Sequence, residues 1–372
     1  AIEGKLFRRR SRTLRPAARR SATMSSANKL SFIDSPFSTK VEYEAYLRGE
    51  LELPKLDTLT CNDEPPSGTI LDPPPSDITL TPAGRGSSRF ATAPVSVFKT
   101  STDVRIVYQL SPGQPDKAPI VWLGGGQSGK AGAANDFGGE TPHLAAPPVL
   151  VFDRRGGGDG ESDVYYDDML DGGYSEVEAQ ARDLAALLVH LKLPPAILVG
   201  FSSGARLLGT LALTFPKLVK ALVLCILTGG PLAAKQLGDV YYLRHAMVAE
   251  RGGMKAVVRD PAFKKPNGQV APYLKGLDAS KFVRAMHMSA KLFDDTQDEP
   301  ALGLREEALK NCTIPALLVN NWGAGRHDGM HMESVTRAVA AAMPKAEPPL
   351  VSAEMRVWFG GILGFIKKHG SV

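Results

Sequence analysis

Cysteine is almost absent from this chain. Cys61, Cys225 and Cys312 are widely spaced and odd in number across 372 residues. That excludes a disulfide framework, and without paired His/Cys spacing no metal site is implied. A reducing compartment is the simpler expectation. Long apolar runs are missing too. A bilayer crossing needs about 20 mostly apolar residues, and no stretch reaches that, so no transmembrane segment is expected. Acidic residues are missing from residues 5–29, which carry nine basic ones: Lys5, Arg8, Arg9, Arg10, Arg12, Arg15, Arg19, Arg20 and Lys29. Together with Glu3, residues 1–29 hold nine of the 44 basic and one of the 39 acidic residues. That leaves 35 and 38 for residues 30–372, a net −3. The formal +5 therefore belongs to the tail, and the remainder offers no electrostatic case for nucleic acid.

Residues 1–34 read as a basic segment that is Arg-rich, Ser-containing and acid-poor, as organelle transit peptides are. The alternatives are a solvated arm or a true start at Met24. The rest implies a soluble intracellular protein, organellar if the tail is a transit segment and cytoplasmic otherwise. Residues 35–93 form a polar, Pro-rich extension. Within it a short helix is expected over 39–57, around Val41, Tyr43, Tyr46 and Leu47. Residues 62–92, with Pro73-Pro74-Pro75, read as an extended strap on the core or a linker. There is no internal repeat. The remaining length suffices for an α/β core and a subdomain.

The most informative stretch is Gly200-Phe201-Ser202-Ser203-Gly204. It reads G-x-S-x-G between the apolar run Ala196-Ile197-Leu198-Val199 and the helix-like Ala205–Leu213. A strand, a sharp turn and a helix would hold Ser202 strained and exposed, while the glycines let two backbones pass closely. Other segments alternate in the same way. Val104–Leu110 and Pro119–Leu123 read as strands, the second ending in Gly124-Gly125-Gly126. Val149–Phe152 is a strand leading into Asp153-Arg154-Arg155-Gly156-Gly157-Gly158. Glu178–Leu191 has helical spacing, and Leu218–Leu224 and Ile314–Val319 are further buried-strand runs. Strands alternating with helices imply a mostly parallel, doubly wound α/β sheet covered on both faces.

These motifs, over residues 94–368, resemble the α/β-hydrolase fold family. The resemblance implies a core of residues 94–228 and 313–372, with a helical cap, 229–312, inserted before the penultimate strands. It implies a serine hydrolase that cleaves esters of small or medium apolar acyl compounds, with Ser202 as nucleophile. The oxyanion hole would be the backbone N–H groups of Ser203 and Gly126. Here Gly124 stands where the family has His, and the loop at 153–158 looks like the family's Asp-x-Arg-Gly-x-Gly. The acid would be Asp328, in Arg326-His327-Asp328-Gly329-Met330-His331 after the strand at 314–319.

A serine hydroxyl needs a base to take its proton. The family places a histidine after one more strand, before the last helix. In this chain that segment, Ala346–Met355, holds none. His369 lies beyond the final helical stretch, Val357–Lys368. His327 and His331 flank Asp328, and His331 is the candidate base. Three possibilities follow: another histidine substitutes, Ser202 acts without an ordinary triad, or the fold persists without hydrolysis and binds a ligand or partner. No positional argument attaches to His143, His190, His245 or His287.

Gly124, Gly126 and Gly129 also spell G-x-G-x-x-G after a strand, with Asp153 about 24 residues on, as in dinucleotide sites. Arg154 and Arg155 would then suit a 2′-phosphate, making an NADP-binding protein the rival reading. Gly124 to Lys130 likewise matches G-x-x-x-x-G-K, but Ala131 stands where a magnesium-binding Ser or Thr is required. No amphipathic helix is evident after the loop to meet a phosphate. The hydrolase reading needs no cofactor and has a small-molecule substrate as partner. Its pocket would be lined by Tyr241, Tyr242, Met247, Met286, Met288 and Phe293 of the cap, whose helices are expected over Tyr241–Glu250 and Lys281–Phe293. Oligomeric state is left open.

Overall fold

The computed structural model describes residues 64–371, apart from 77–79, 81, 84–87, 115, 127, 135–145, 157–161, 163–165, 261–275 and 324–327. The expected helix at 39–57, the basic tail, Cys61, His143 and His327 lie outside the described residues. Nine strands form one sheet among those described: β1 (Gly68–Leu71), β2 (Val95–Thr100), β3 (Arg105–Ser111), β4 (Ile120–Leu123), β5 (Val149–Phe152), β6 (Ala196–Phe201), β7 (Val219–Cys225), β8 (Ala316–Asn320) and β9 (Leu350–Val351). Their order is β1-β2-β3-β5-β4-β6-β7-β8-β9. The first three are antiparallel to their neighbours, and β5, β4, β6, β7, β8 and β9 run parallel.

The parallel strands are apolar on both sides, and the pleat sorts their side chains. Val121, Leu123, Leu150, Phe152, Ala196, Leu198, Leu222, Leu224 and Leu318 face one core. Ile120, Trp122, Val149, Val151, Ile197, Val199, Val223 and Val319 face the other. Successive strand residues point to opposite faces, so a strand buried twice reads as a continuous apolar run. The first face is covered by α1 (Glu176–His190), α2 (Ser203–Thr214) and α6 (Glu333–Ala342), through residues such as Leu184, Leu208 and Val339. The second is covered by a helical turn over 130–134 and by α7 (Met355–His369), through Ala133, Phe359 and Ile362. Each fully buried large side chain contributes about 1.5–3 kcal/mol. The turn at 130–134 is helical even though the sequence after Gly129 shows no amphipathic pattern.

Between β7 and β8 the chain builds a helical insertion: α3 (Pro231–Gly238), a π-helical stretch Asp239–Leu243, α4 (Arg244–Arg259) and α5 (Ala279–Asp295). It has its own core, including Tyr242, Ala246, Phe282, Met286 and Phe293. This cap region rises from the carboxyl ends of the parallel strands, where sites in such sheets gather.

Candidate functional site

Ser202 lies between β6 and α2 with φ 50° and ψ −114°. A non-glycine residue at positive φ costs about 1–3 kcal/mol, so its surroundings must impose it. They do so through close backbone approach. A Cβ on Gly200 would stand 2.7 Å from the Gly204 carbonyl oxygen, and one on Gly204 only 2.5 Å from that of Gly124. The Ser202 N–H donates to the Cys225 carbonyl at 2.9 Å, and the Arg206 N–H to the Ser202 carbonyl at 3.1 Å. The serine is thus pinned between sheet and helix with its hydroxyl turned outward. The Ser203 N–H opens α2, where the helix supplies no acceptor.

The loop after β4 runs alongside. Gly125 passes so near that its Cβ would lie 3.1 Å from the Ser202 Cβ, and Gly126 has φ 58°. This loop is tied down by Arg154. Its guanidinium donates to the carbonyls of Gly126 at 2.6 Å and Ser128 at 3.2 Å, and to Ser203 Oγ at 3.1 Å. Ser203 Oγ also donates to the Gly126 carbonyl. Sequence reading gave Arg154 no such task; its place two residues past a strand end was the available signal.

After β8 the chain turns back to Ser202. His331 Nε2 is 2.9 Å from Ser202 Oγ, and His331 Nδ1 is 2.7 Å from Asp328 Oδ2. Asp328 Oδ1 accepts from the N–H groups of Met330 and His331, both at 2.9 Å. Burial works to raise the Asp328 carboxyl, but these two N–H groups and the imidazole outweigh it and hold the group below the usual carboxylate range. With Asp328 accepting at Nδ1, Nε2 is the ring nitrogen that accepts from Ser202. Gly329, at φ 85°, supplies the turn. Asn320, buried at the end of β8, donates through Nδ2 to the His331 carbonyl at 3.3 Å, and the Gly229 N–H donates to the Met330 carbonyl at 3.3 Å. Trp322 lies nearly parallel to the His331 ring at 6.5 Å. Asn320 and Trp322 are supports the sequence reading missed.

The remaining described histidines stand apart from this chain of hydrogen bonds. His369 packs on Phe365 with ring centroids 4.5 Å apart, His190 Nδ1 meets the Gly68 carbonyl at 3.1 Å, and His287 meets Glu250 at 3.3 Å. The last strand, β9, is Leu350–Val351, and neither side chain can accept a proton.

The dinucleotide and P-loop readings meet a direct obstacle. Lys130 Nζ lies 3.2 Å from Asp153 Oδ2, with both side chains wholly buried, and the Lys130 N–H donates to Asp153 Oδ1 at 2.8 Å. The lysine and the carboxylate that would meet a nucleotide are spent on each other. Arg155 is equally engaged: it is forked between Asp183, at 2.6 and 2.7 Å, and Asp168, at 2.7 and 2.8 Å. Burial would pull its guanidinium down, and the two carboxylates more than offset that.

The expected apolar pocket also needs correction. The cavity beside Gly126 and Ser203 is lined by Arg154, Glu176, Gln180 and Arg206 together with Tyr241 and Tyr242. The π-helical stretch carries both tyrosines. Met247 is 43% exposed and Met286 is buried in the insertion's own core. The physical reason is that Met286 and Phe293 of α5 are drawn into the insertion's own core, while Met247 of α4 faces outward.

Sheet order, the sharp turn at Ser202 and the insertion between β7 and β8 define the α/β-hydrolase fold. The family model described as alpha/beta hydrolase fold matches residues 122–240, from β4 into the insertion. The chain is similar to the crystal structure of a hydrolase from Pseudomonas aeruginosa PA01, at 20% identity over 73% of this chain and 96% of that one, with a TM-score of 0.48. It is also similar to 2-hydroxy-6-oxo-6-phenylhexa-2,4-dienoate hydrolase from Rhodococcus sp. strain RHA1, at 16% identity over 75% and 99% of the two chains, with a TM-score of 0.49. Among the described residues no helix is long and apolar enough to cross a membrane.

Proposed function

We propose that this protein is an esterase-like serine hydrolase that transfers the acyl group of a small or medium organic substrate to water through Ser202. The observation that carries the reading is the unbroken chain Ser202 Oγ, His331, Asp328, at 2.9 and 2.7 Å. In this reading His331 Nε2 takes the hydroxyl proton as Oγ attacks the carbonyl. Asp328 holds the ring and stabilises the imidazolium. The oxyanion is met by the N–H groups of Ser203 and Gly126; one such donor typically contributes about 3 kcal/mol. His331 then gives its proton to the leaving group, and the acyl-enzyme is hydrolysed by a water that His331 activates. Acid and base both come from the loop after β8, so no histidine is needed after β9. The same reading takes residues 229–312 as the cap over a core of 94–228 and 313–372.

The test is labelling by a fluorophosphonate, which reacts with an activated serine hydroxyl. Stoichiometric modification of Ser202 in the parent, lost in His331→Ala, is the expected result. A folded parent that remains unlabelled would support a silent member of the fold instead.

A further inference from the structure

Three arginines lie buried within a short distance of Ser202, and they are not equivalent. Arg155 has two carboxylates and needs nothing more. Arg154 and Arg206 border the cavity beside Gly126 and Ser203, and each keeps donors without a partner among the described residues: Nε of Arg154, and Nε and Nη1 of Arg206. Arg154 is 4% and Arg206 5% exposed. The Arg206 guanidinium lies over the Phe293 ring at 4.4 Å, which fixes its plane without satisfying its N–H groups. Among the described residues, Glu176 is the one carboxylate that lines this cavity. It forms no ion pair within 4 Å with either arginine among the described residues, and even when ionised it leaves the pair with one positive charge in excess. Burial lowers both guanidiniums, Arg154 to about 10, which still leaves that group charged at neutral pH.

A buried cation without a counter-charge is costly, and removing water from its donors adds to that cost. A planar anion would supply both the charge and a bidentate partner for the guanidinium fork. The cavity measures about 30 Å³, room enough for a carboxylate. Its wall includes Gly126 and Ser203, the two residues beside Ser202, so an occupant sits only a few bonds from an acyl carbon on Ser202. Tyr241 bounds the same space: a Cβ on Gly126 would lie 3.9 Å from its hydroxyl.

We propose that Arg206, with Arg154 beside it, forms a carboxylate subsite, and that the substrate is an ester or acyl compound bearing a carboxylate a few bonds from the carbonyl attacked. This rests on the reading of Ser202 as nucleophile, but the subsite itself is tested without turnover. Arg154 also holds the Gly126 loop, which makes Arg206 the cleaner position to change.

The experiment is calorimetric binding of monomethyl succinate and of its neutral isostere methyl succinamate to Ser202→Ala, which cannot consume them. The expected result is at least about tenfold tighter binding of the acid, in line with a charge-assisted hydrogen bond. Adding Arg206→Met should erase that preference, and adding Arg206→Lys should restore part of it, with melting temperatures reporting that each variant is folded. Equal affinity for acid and amide, or a preference that survives Arg206→Met, overturns the subsite. If Arg206→Met fails to fold, the comparison is made with Arg206→Lys, where an undiminished preference overturns it. Turnover of monomethyl succinate by the parent is followed separately. Binding with the acid preference by a protein whose parent form a fluorophosphonate leaves unlabelled upholds the subsite and removes the hydrolase reading.

Discussion

The turn at Ser202 and the loop at 328–331 meet at one hydrogen bond but are built by opposite means. The serine is placed by backbone contact. Gly200 and Gly204 let β6, α2 and the loop after β4 pass within van der Waals distance, and the strained Ser202 conformation follows from that crowding. The 328–331 loop is placed by hydrogen bonds within four residues: Asp328 accepts from two backbone N–H groups and from the ring of His331. The first is a property of the packed core, while the second is a local turn with an exposed Asp328, anchored at Asn320 and Gly229. The lesson is that Ser202 cannot move without unfolding its surroundings. The position of His331 needs only a turn that ends near Ser202, so the loop after β8 can supply it.

Substitutions can break this contrast, and the largest effects fall on chemistry. Ser202→Ala should lower ester turnover by roughly 10⁴-fold or more while the melting curve stays near that of the parent. A variant that turned over normally would remove Ser202 from the account. Asp328→Asn keeps the acceptor geometry but loses the charge that stabilises the imidazolium, and turnover should fall by about 10²-fold or more. Gly204→Ala acts on the other region. Its Cβ has no room beside the Gly124 and Leu123 carbonyls, so a loss of about 1–3 kcal/mol in stability is expected by denaturant titration. Wild-type stability there would mean that the loop after β4 yields.

A smaller effect concerns pH. The Asp328 carboxyl is held below its ordinary value, so it contributes stability above the unfolded carboxylate pKa of about 3.9, lost as pH falls through the folded value. The melting-temperature gap between parent and Asp328→Asn should therefore be larger at pH 7 than at pH 3. A gap independent of pH would show that the charge of Asp328 does not support the loop.

The sequence showed the core more clearly than the site. The strand at 149–152 was legible to the residue because an apolar run buried on two faces leaves no polar interruption. The helical spacing from Glu178 places the start of α1 two residues late, although Ser175 and Glu178 form a capping box that signals a helix beginning at Glu176. The helix Glu333–Ala342 went unread, and β9, at two residues, is too short to carry a period. Ser202, Asp328 and His331 could be proposed from motif and spacing. That Asp328 and His331 turn toward each other depends on Asn320 and Gly229, whose roles exist only once β7 and β8 are neighbours. Arg206 had no sequence signal at all. It sits in an apolar helix, where a single arginine reads as surface until the packing of α2 against Phe293 buries it.

The central claim is that His331 supplies the base from the same loop as the acid. It is tested most directly by the turnover of a short p-nitrophenyl ester by the parent, His331→Ala and His369→Ala, measured side by side with their melting temperatures. The account predicts a loss of about 10²–10⁴-fold for His331→Ala and a rate close to that of the parent for His369→Ala. A parent of ordinary esterase activity whose rate is unchanged in His331→Ala would contradict it.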